Sequence, residues 1–519
     1  MNIAPIDWLI IAVMYAAFLG IAFYINTLCK SVSDYLVSGR KVRVWLGMGA
    51  GVAGEIGLVT IVGTCEQGFL RGFSSVVIIT LTMLIMVPLF GIFGFGIERF
   101  RATKAMSVSQ YIEMRYSSRL RVITGFLNSI SGVLQMCIFP IVGARFLRVL
   151  IDAPEYVSPG STIQTAWVIM GVLLASAVIF TFLGGYVTLI VTNFFQSIII
   201  VAVLYWLLFH LISMSSLQEI WTGLENYRGL SGLNPFSGED ESYGVLFWLW
   251  MCTMSILLQF SYGPYLQKYA SMDKPKTVSR SYLIGYLFGN GRAFVILTFG
   301  VVSLVALGTS QPPGIDVAQY DWSATATPYY LSTVVPVGMM GVLLAGLLFA
   351  DVSTTDQYIL SWSTTIVNDC IIPFKKTQFT PSQHIRAVRI TIVILCVLFS
   401  FVGVTYKPIM PLWEYLWLCV NIIGGTGIAV LFGMYWKRAS TAGAYAAVIT
   451  CTLLPLSDLV ARRVMVEANP GTVYPISPQM IGFCSYVLAT VLLIVISLMS
   501  TKPTGYWDLG EAVRQMNRE

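Results

Sequence analysis

The sequence predicts an all-α polytopic membrane protein of about 13 transmembrane helices, and three observations lead there. Of its 519 residues 56% are hydrophobic and only 11% charged, far below the roughly 25% charged of soluble domains. Thirteen apolar runs, at 6–28, 44–65, 74–97, 122–150, 163–183, 187–212, 243–265, 281–308, 335–366, 387–405, 411–436, 441–461 and 478–500, are each long enough for a hydrocarbon core of about 30 Å. Basic residues then cluster in alternate loops, as a correctly divided membrane chain requires.

Those loops hold Lys30, Arg40, Lys41 and Arg43, then Arg99 to Arg121, Lys268 to Arg280, and Lys375 to Arg389. The positive-inside rule makes them cytoplasmic. The N-terminus is then outside and the C-terminus cytoplasmic, with Lys502, Arg514 and Arg518 in the tail. The 213–242 loop, carrying Glu219, Glu225, Glu239, Asp240 and Glu241, is outside. Arg462 and Arg463 in the last outer loop are the exception. The net charge of +6 therefore marks orientation and not nucleic-acid binding. The first run, starting at Ile6, is too long for a signal peptide and counts as a span. Nine cysteines lack metal spacing, and His210 and His384 are too few for a metal site. No phosphate loop of the GxxxxGK[ST] type occurs, the tail from Thr501 is too short for a nucleotide-binding domain, and no catalytic set stands out. The expectation is a carrier and not an enzyme, an integral protein of a bacterial inner membrane. Its partners are the lipid bilayer and a small solute, with no obligate protein partner evident.

Chemistry concentrates in Leu347 to Ser363. Asp351 and Asp356 lie within an otherwise membrane-grade run, where a carboxylate costs about 2.5–3.5 kcal/mol on insertion scales and must face protein, water or an ion. At about 100° per residue, Ala350, Ser353, Thr354 and Gln357 share one face, with the two carboxylates at its borders. Hydroxyls and a freed carbonyl are hard, mostly neutral donors suited to a releasable alkali cation, so a sodium ion is the expected ligand. The competing reading is that the hydroxyls bond to the preceding turn or join helices.

The run 44–65 holds Gly47, Gly49, Gly51, Gly54 and Gly57 around Glu55. Each interior glycine weakens a helix by about 1 kcal/mol, so this helix is expected to break. Its counterpart is 243–265, interrupted at Gln259 to Pro264. A pair of interrupted helices, one in each half, marks inverted-repeat transporters. Close packing is the alternative explanation for the glycines, though packing needs no carboxylate. Arg292 lies deep in the run 281–308 and needs a partner. It either grips an anionic group of the solute or pairs with Glu55 or Asp356.

With these motifs the chain resembles the sodium:solute symporter family, which shares the inverted-repeat architecture of the bacterial leucine transporter. The likeness runs from the Arg40-Lys41 loop to about Arg438. The glycine-rich run ending in Ile61-Val62-Gly63 is similar to the first core helix. Leu183-Gly184-Gly185-Tyr186 followed by Thr192-Asn193-Phe194-Phe195-Gln196 is similar to the fifth, Tyr265-Leu266-Gln267-Lys268 to the end of the sixth, and Ala350 to Asp369 to the eighth. The resemblance implies a 5+5 inverted-repeat core with broken first and sixth core helices. It divides the chain into 1–43 (an extra helix and loop), 44–212 (first repeat), 213–242 (outer loop), 243–440 (second repeat) and 441–519 (C-terminal helices and tail). It also implies sodium ligands: the carbonyls of Ala53, Ile56 and Ala350 and the hydroxyls of Ser353 and Thr354. Asp356 would support them from behind. Where members with a second sodium site carry Asp, this chain has Asn193, which implies one sodium per cycle. Arg292 aligns with a substrate-binding Lys of sugar carriers, and Thr60, Ser255, Leu258 and Gln259 align with substrate-lining or gate positions. The implied function is sodium-coupled import of a small polar organic solute, a zwitterion, carboxylate or polyol. The alternatives are a proton-coupled carrier using Glu55 and Asp356, or a membrane sensor or channel on the same scaffold.

Overall fold

The computed structural model describes residues 3–26, 35, 37–238, 243–289, 291–309, 319–375, 379–468 and 476–500. Lys30, Glu239, Asp240, Glu241, Lys376 and the tail from Thr501 lie outside them. Among the described residues ten helices are long and apolar enough to cross a membrane, and three further pairs pass together as bent spans, which brings the count to 13. That is the number read from the apolar runs.

The elements that position the site are α1 (Pro5–Asn26), α2 (Val44–Glu55), α3 (Leu58–Arg71), α4 (Ser74–Met86), α5 (Thr165–Met214), α6 (Val245–Ser261), α7 (Gly263–Ser271), α8 (Pro275–Gly289), α9 (Gly291–Leu307), α10 (Gln319–Val334), α11 (Met339–Thr365), α12 (Leu412–Asn421) and α13 (Gly424–Tyr435). Breaks fall where the backbone cannot keep its ladder. Between α2 and α3 the axis bends by 59°, with Ile56 at ψ 67° and Gly57 extended at ψ 159°. Between α6 and α7 the bend is 55°. There Gly263-Pro264 follows Tyr262, and the proline has no N–H to continue the preceding helix. A third break, of 47°, separates α12 from α13.

α11 is the buried mast of the molecule, packed against α5, α1, α7 and α2. Polar side chains along it are withdrawn from lipid: Ser353 is 0%, Asp356 1% and Thr354 2% exposed. α5 runs 50 residues but is two spans, because Gly185 sits at φ +56° in its middle. Only glycine enters that region without strain, and a Cβ there would meet Tyr35.

Three details differ from the sequence expectation. The run 122–150 forms two helices, Ser118–Met136 and Phe139–Leu150, since Pro140 starts a new turn. The outer stretch 213–242, read as a loop, contains a helix at Leu217–Arg228 with a capping box of Ser216 and Glu219. α10 had no counterpart among the apolar runs, because it is too polar for a span; it packs on α3 and on Phe139–Leu150.

Candidate functional site

The end of α2 meets the middle of α11. The Ser353 hydroxyl donates to the carbonyls of Ala53 at 3.2 Å and Ala350 at 3.1 Å. The Thr354 hydroxyl reaches Ala53 at 3.4 Å and Gly54 at 3.3 Å. Calcium-sized hard cations hold oxygens at about 2.3–2.6 Å, so neighbouring ligands at right angles stand about 3.3–3.7 Å apart; this oxygen cluster is close to that spacing. The Ala53 and Gly54 carbonyls belong to the C-terminus of α2, which carries about half a negative charge. Each hydroxyl proton can rotate away and leave its oxygen free to face an ion. Behind them, Asn193 on α5 donates to the Ser353 carbonyl at 3.2 Å.

Gly57 allows the approach, since a Cβ there would lie 2.9 Å from Thr354 side-chain atoms. Ile56 is buried, and its N–H donates to the Ala53 carbonyl at 3.1 Å. Neither site hydroxyl bonds to the Ile56 carbonyl; Thr354 turns to Gly54 instead. Asp356 makes no hydrogen bond to either hydroxyl, and its Oδ1 has no hydrogen-bond partner. The structure therefore does not join Asp356 to these hydroxyls in the supporting position the resemblance implied. Among the described residues no group of three His, Cys, Asp or Glu side chains could hold a metal.

On its other side the end of α2 presents Glu55. Arg292 of α9 contacts this carboxylate at 3.1 Å and Lys268 of α7 at 3.5 Å. Of the partners open to Arg292, the one at hand is Glu55. The three charges line a cavity of about 160 Å³ walled by Met48, Ile79, Met83, Tyr282 and Tyr286. Thr60, Ser255, Leu258 and Gln259 do not line it; Gln259 accepts the Tyr269 hydroxyl instead. The resemblance aligned them with substrate-lining or gate positions; Thr60 stands on α3 and the other three on α6, outside this cavity.

Lys268, Tyr282 and Tyr286 escaped the sequence reading. Lys268 served there as an orientation marker, and nothing local shows that its stem folds inward. Tyr282 and Tyr286 are four residues apart and share a helix face with Gly285 and Gly289, a pattern that could have been read. Farther along, at the end of α3, Arg71 pairs with Glu414 at 3.1 Å and lies 4.3 Å over the Tyr243 ring.

Bent apolar helices, with an oxygen cluster where the end of α2 meets α11 and a charged cavity beside Glu55, suit a membrane carrier. The comparisons agree. A sequence model of the sodium:solute symporter family matches residues 35–451. A sodium/sialic acid symporter of Proteus mirabilis is 21% identical over 464 residues, covering 85% of this chain and 87% of its own. A sodium/proline symporter of Staphylococcus aureus is 20% identical over 544 residues, covering 99% and 96%. A solved structure of a Na+-coupled sialic acid symporter, substrate-bound and outward-open, superposes with a TM-score of 0.75 at 16% identity, covering 96% of this chain and 98% of that one. The chain belongs to the sodium:solute symporter family. It is a sodium-coupled solute symporter of the inverted-repeat fold, an integral membrane protein and not an enzyme.

Proposed function

We propose that this symporter imports a small polar organic solute together with one sodium ion per cycle. The ion is held by the Ala53, Ile56 and Ala350 carbonyls and the Ser353 and Thr354 hydroxyls, with Asn193 behind Ser353. The solute occupies the cavity bounded by Glu55, Lys268 and Arg292. The observation that carries the reading is the cluster of hydroxyl and carbonyl oxygens at 3.1–3.4 Å between α2 and α11. Supporting the orientation, N-terminus outside and C-terminus cytoplasmic, is the alternation of basic loops.

The coupling is physical. Sodium ties α2 to α11, and the solute engages the charges where α2 faces α7 and α9. Both ligands act on the same few residues, Ala53 to Ile56. Each then favours the arrangement that the other needs, and by linkage each raises the other's affinity. Asn193 supplies no carboxylate for a second ion, which supports a single sodium.

Uptake into proteoliposomes at fixed pH, with external sodium replaced by potassium, tests the reading. We expect solute accumulation to stop. Unchanged uptake in potassium would instead assign coupling to protons.

A further inference from the structure

We propose that the transported solute is a small monocarboxylate, which takes the place of Glu55 on Arg292 while Glu55 stays on Lys268. This rests on the carrier reading above and narrows its solute class.

The argument begins with a charge count. The cavity holds two cations, Lys268 and Arg292, and one carboxylate, Glu55; its other lining residues are neutral. The set carries one surplus positive charge on cations whose side chains are only 11% and 16% exposed, where water screens it incompletely. A polyol or a zwitterion would leave that surplus as it is, whereas a monoanion removes it. Geometry points the same way. Arg292 presents a planar fork of donors, and Glu55 Oε2 engages it through a single N–H at 3.1 Å. Glu55 Oε1 leans toward Lys268 at 3.5 Å. Glu55 thus has a second cation to keep when a ligand takes the first. The hydroxyl of Tyr282, whose residue is 8% exposed, lines the same cavity and makes no hydrogen bond of normal geometry, Tyr286 being its polar neighbour. Leaning only on Tyr286, it can turn to the second carboxylate oxygen or to an adjacent hydroxyl of the solute. Met48, Ile79 and Met83 leave only a short apolar body to be accommodated. At about 160 Å³ the space falls below the roughly 300–1,000 Å³ of sites for drug-sized ligands.

Purified full-length protein in detergent tests this by thermal shift and equilibrium binding, in sodium and in potassium. The probes are lactate, pyruvate and propionate, their amides, proline and alanine as zwitterions, and glycerol and glucose as polyols. We expect a carboxylate to bind and its amide to fail. Arg292→Gln should weaken carboxylate binding by about tenfold or more, the loss of a charge-assisted contact. Glu55→Gln should strengthen it severalfold, because it removes the competing internal carboxylate. That gain separates a displaced carboxylate from a merely structural ion pair, for which both variants lose binding or fold poorly. Size-exclusion profiles identify poor folding, and Arg292→Lys, which keeps the charge, should recover part of the binding. Binding of amides, zwitterions or polyols as tight as that of carboxylates would overturn the proposal, and so would weaker carboxylate binding by a folded Glu55→Gln. The two readings fail separately. Sodium-dependent binding of a neutral solute keeps the carrier reading and sinks the monocarboxylate. Carboxylate binding indifferent to sodium keeps the monocarboxylate and sinks the sodium coupling.

Discussion

Ser353 and Thr354 do two things with one hydroxyl each. Without an ion their protons satisfy the carbonyls at the end of α2, so the broken helix is not left with orphaned acceptors. In the sodium site proposed above, the same oxygens serve as ligands. Removing either hydroxyl withdraws one proposed ligand from the ion, a loss of about 1–3 kcal/mol. We expect Ser353→Ala and Thr354→Ala each to raise the sodium concentration for half-maximal uptake by about 5–100-fold. The double variant should fall short of the product, because both side chains share the Ala53 carbonyl. Sodium dependence equal to that of the unaltered protein would remove these hydroxyls from the site. The helical spacing in the sequence already put Ala350, Ser353, Thr354 and Gln357 on one face. It could not say which carbonyl Thr354 would meet, because that depends on how Ile56 and Gly57 turn the chain.

The decisive element is the break between α2 and α3. Five glycines and a carboxylate made its location readable, since low helix propensity accumulates there. What sequence could not supply is the partner: Gly57 lies against Thr354 with no room for a methyl group. Gly57→Ala should push Thr354 aside and weaken sodium affinity by about tenfold or more, with little change in expression, since α2 and α3 keep their other contacts. A sodium titration of solute uptake measures this, and an unchanged midpoint would mean that the approach is looser than the structure has it. α7 teaches the opposite lesson. Its start was legible in Gly263-Pro264, yet the role of Lys268 was not, because a lysine at a span end looks the same whether it faces the cytoplasm or folds back to a half-buried Glu55.

For the whole molecule the question is which charges cross the membrane together. One inward positive charge at about 100 mV is worth roughly 2.3 kcal/mol, enough to concentrate a neutral solute tens of fold. If one sodium travels with one monocarboxylate, the moving load is neutral and this gain disappears. We therefore expect carboxylate uptake into potassium-loaded proteoliposomes to be unchanged when valinomycin makes the interior negative. Marked acceleration would point to a second sodium or to a neutral or zwitterionic solute.

Composition, run lengths and the placement of basic residues by themselves gave about 13 apolar spans with two of them interrupted; the structure adds the third bend, between α12 and α13. These properties follow from the cost of charge and unpaired backbone in hydrocarbon, which each segment meets locally. Only the tertiary structure decided that Glu55 lies between Lys268 and Arg292, that Thr354 reaches Gly54, and that Asp356 makes no hydrogen bond to the site hydroxyls. Those pairings join residues hundreds of positions apart, and they depend on the direction in which each broken helix turns, which local propensity does not encode.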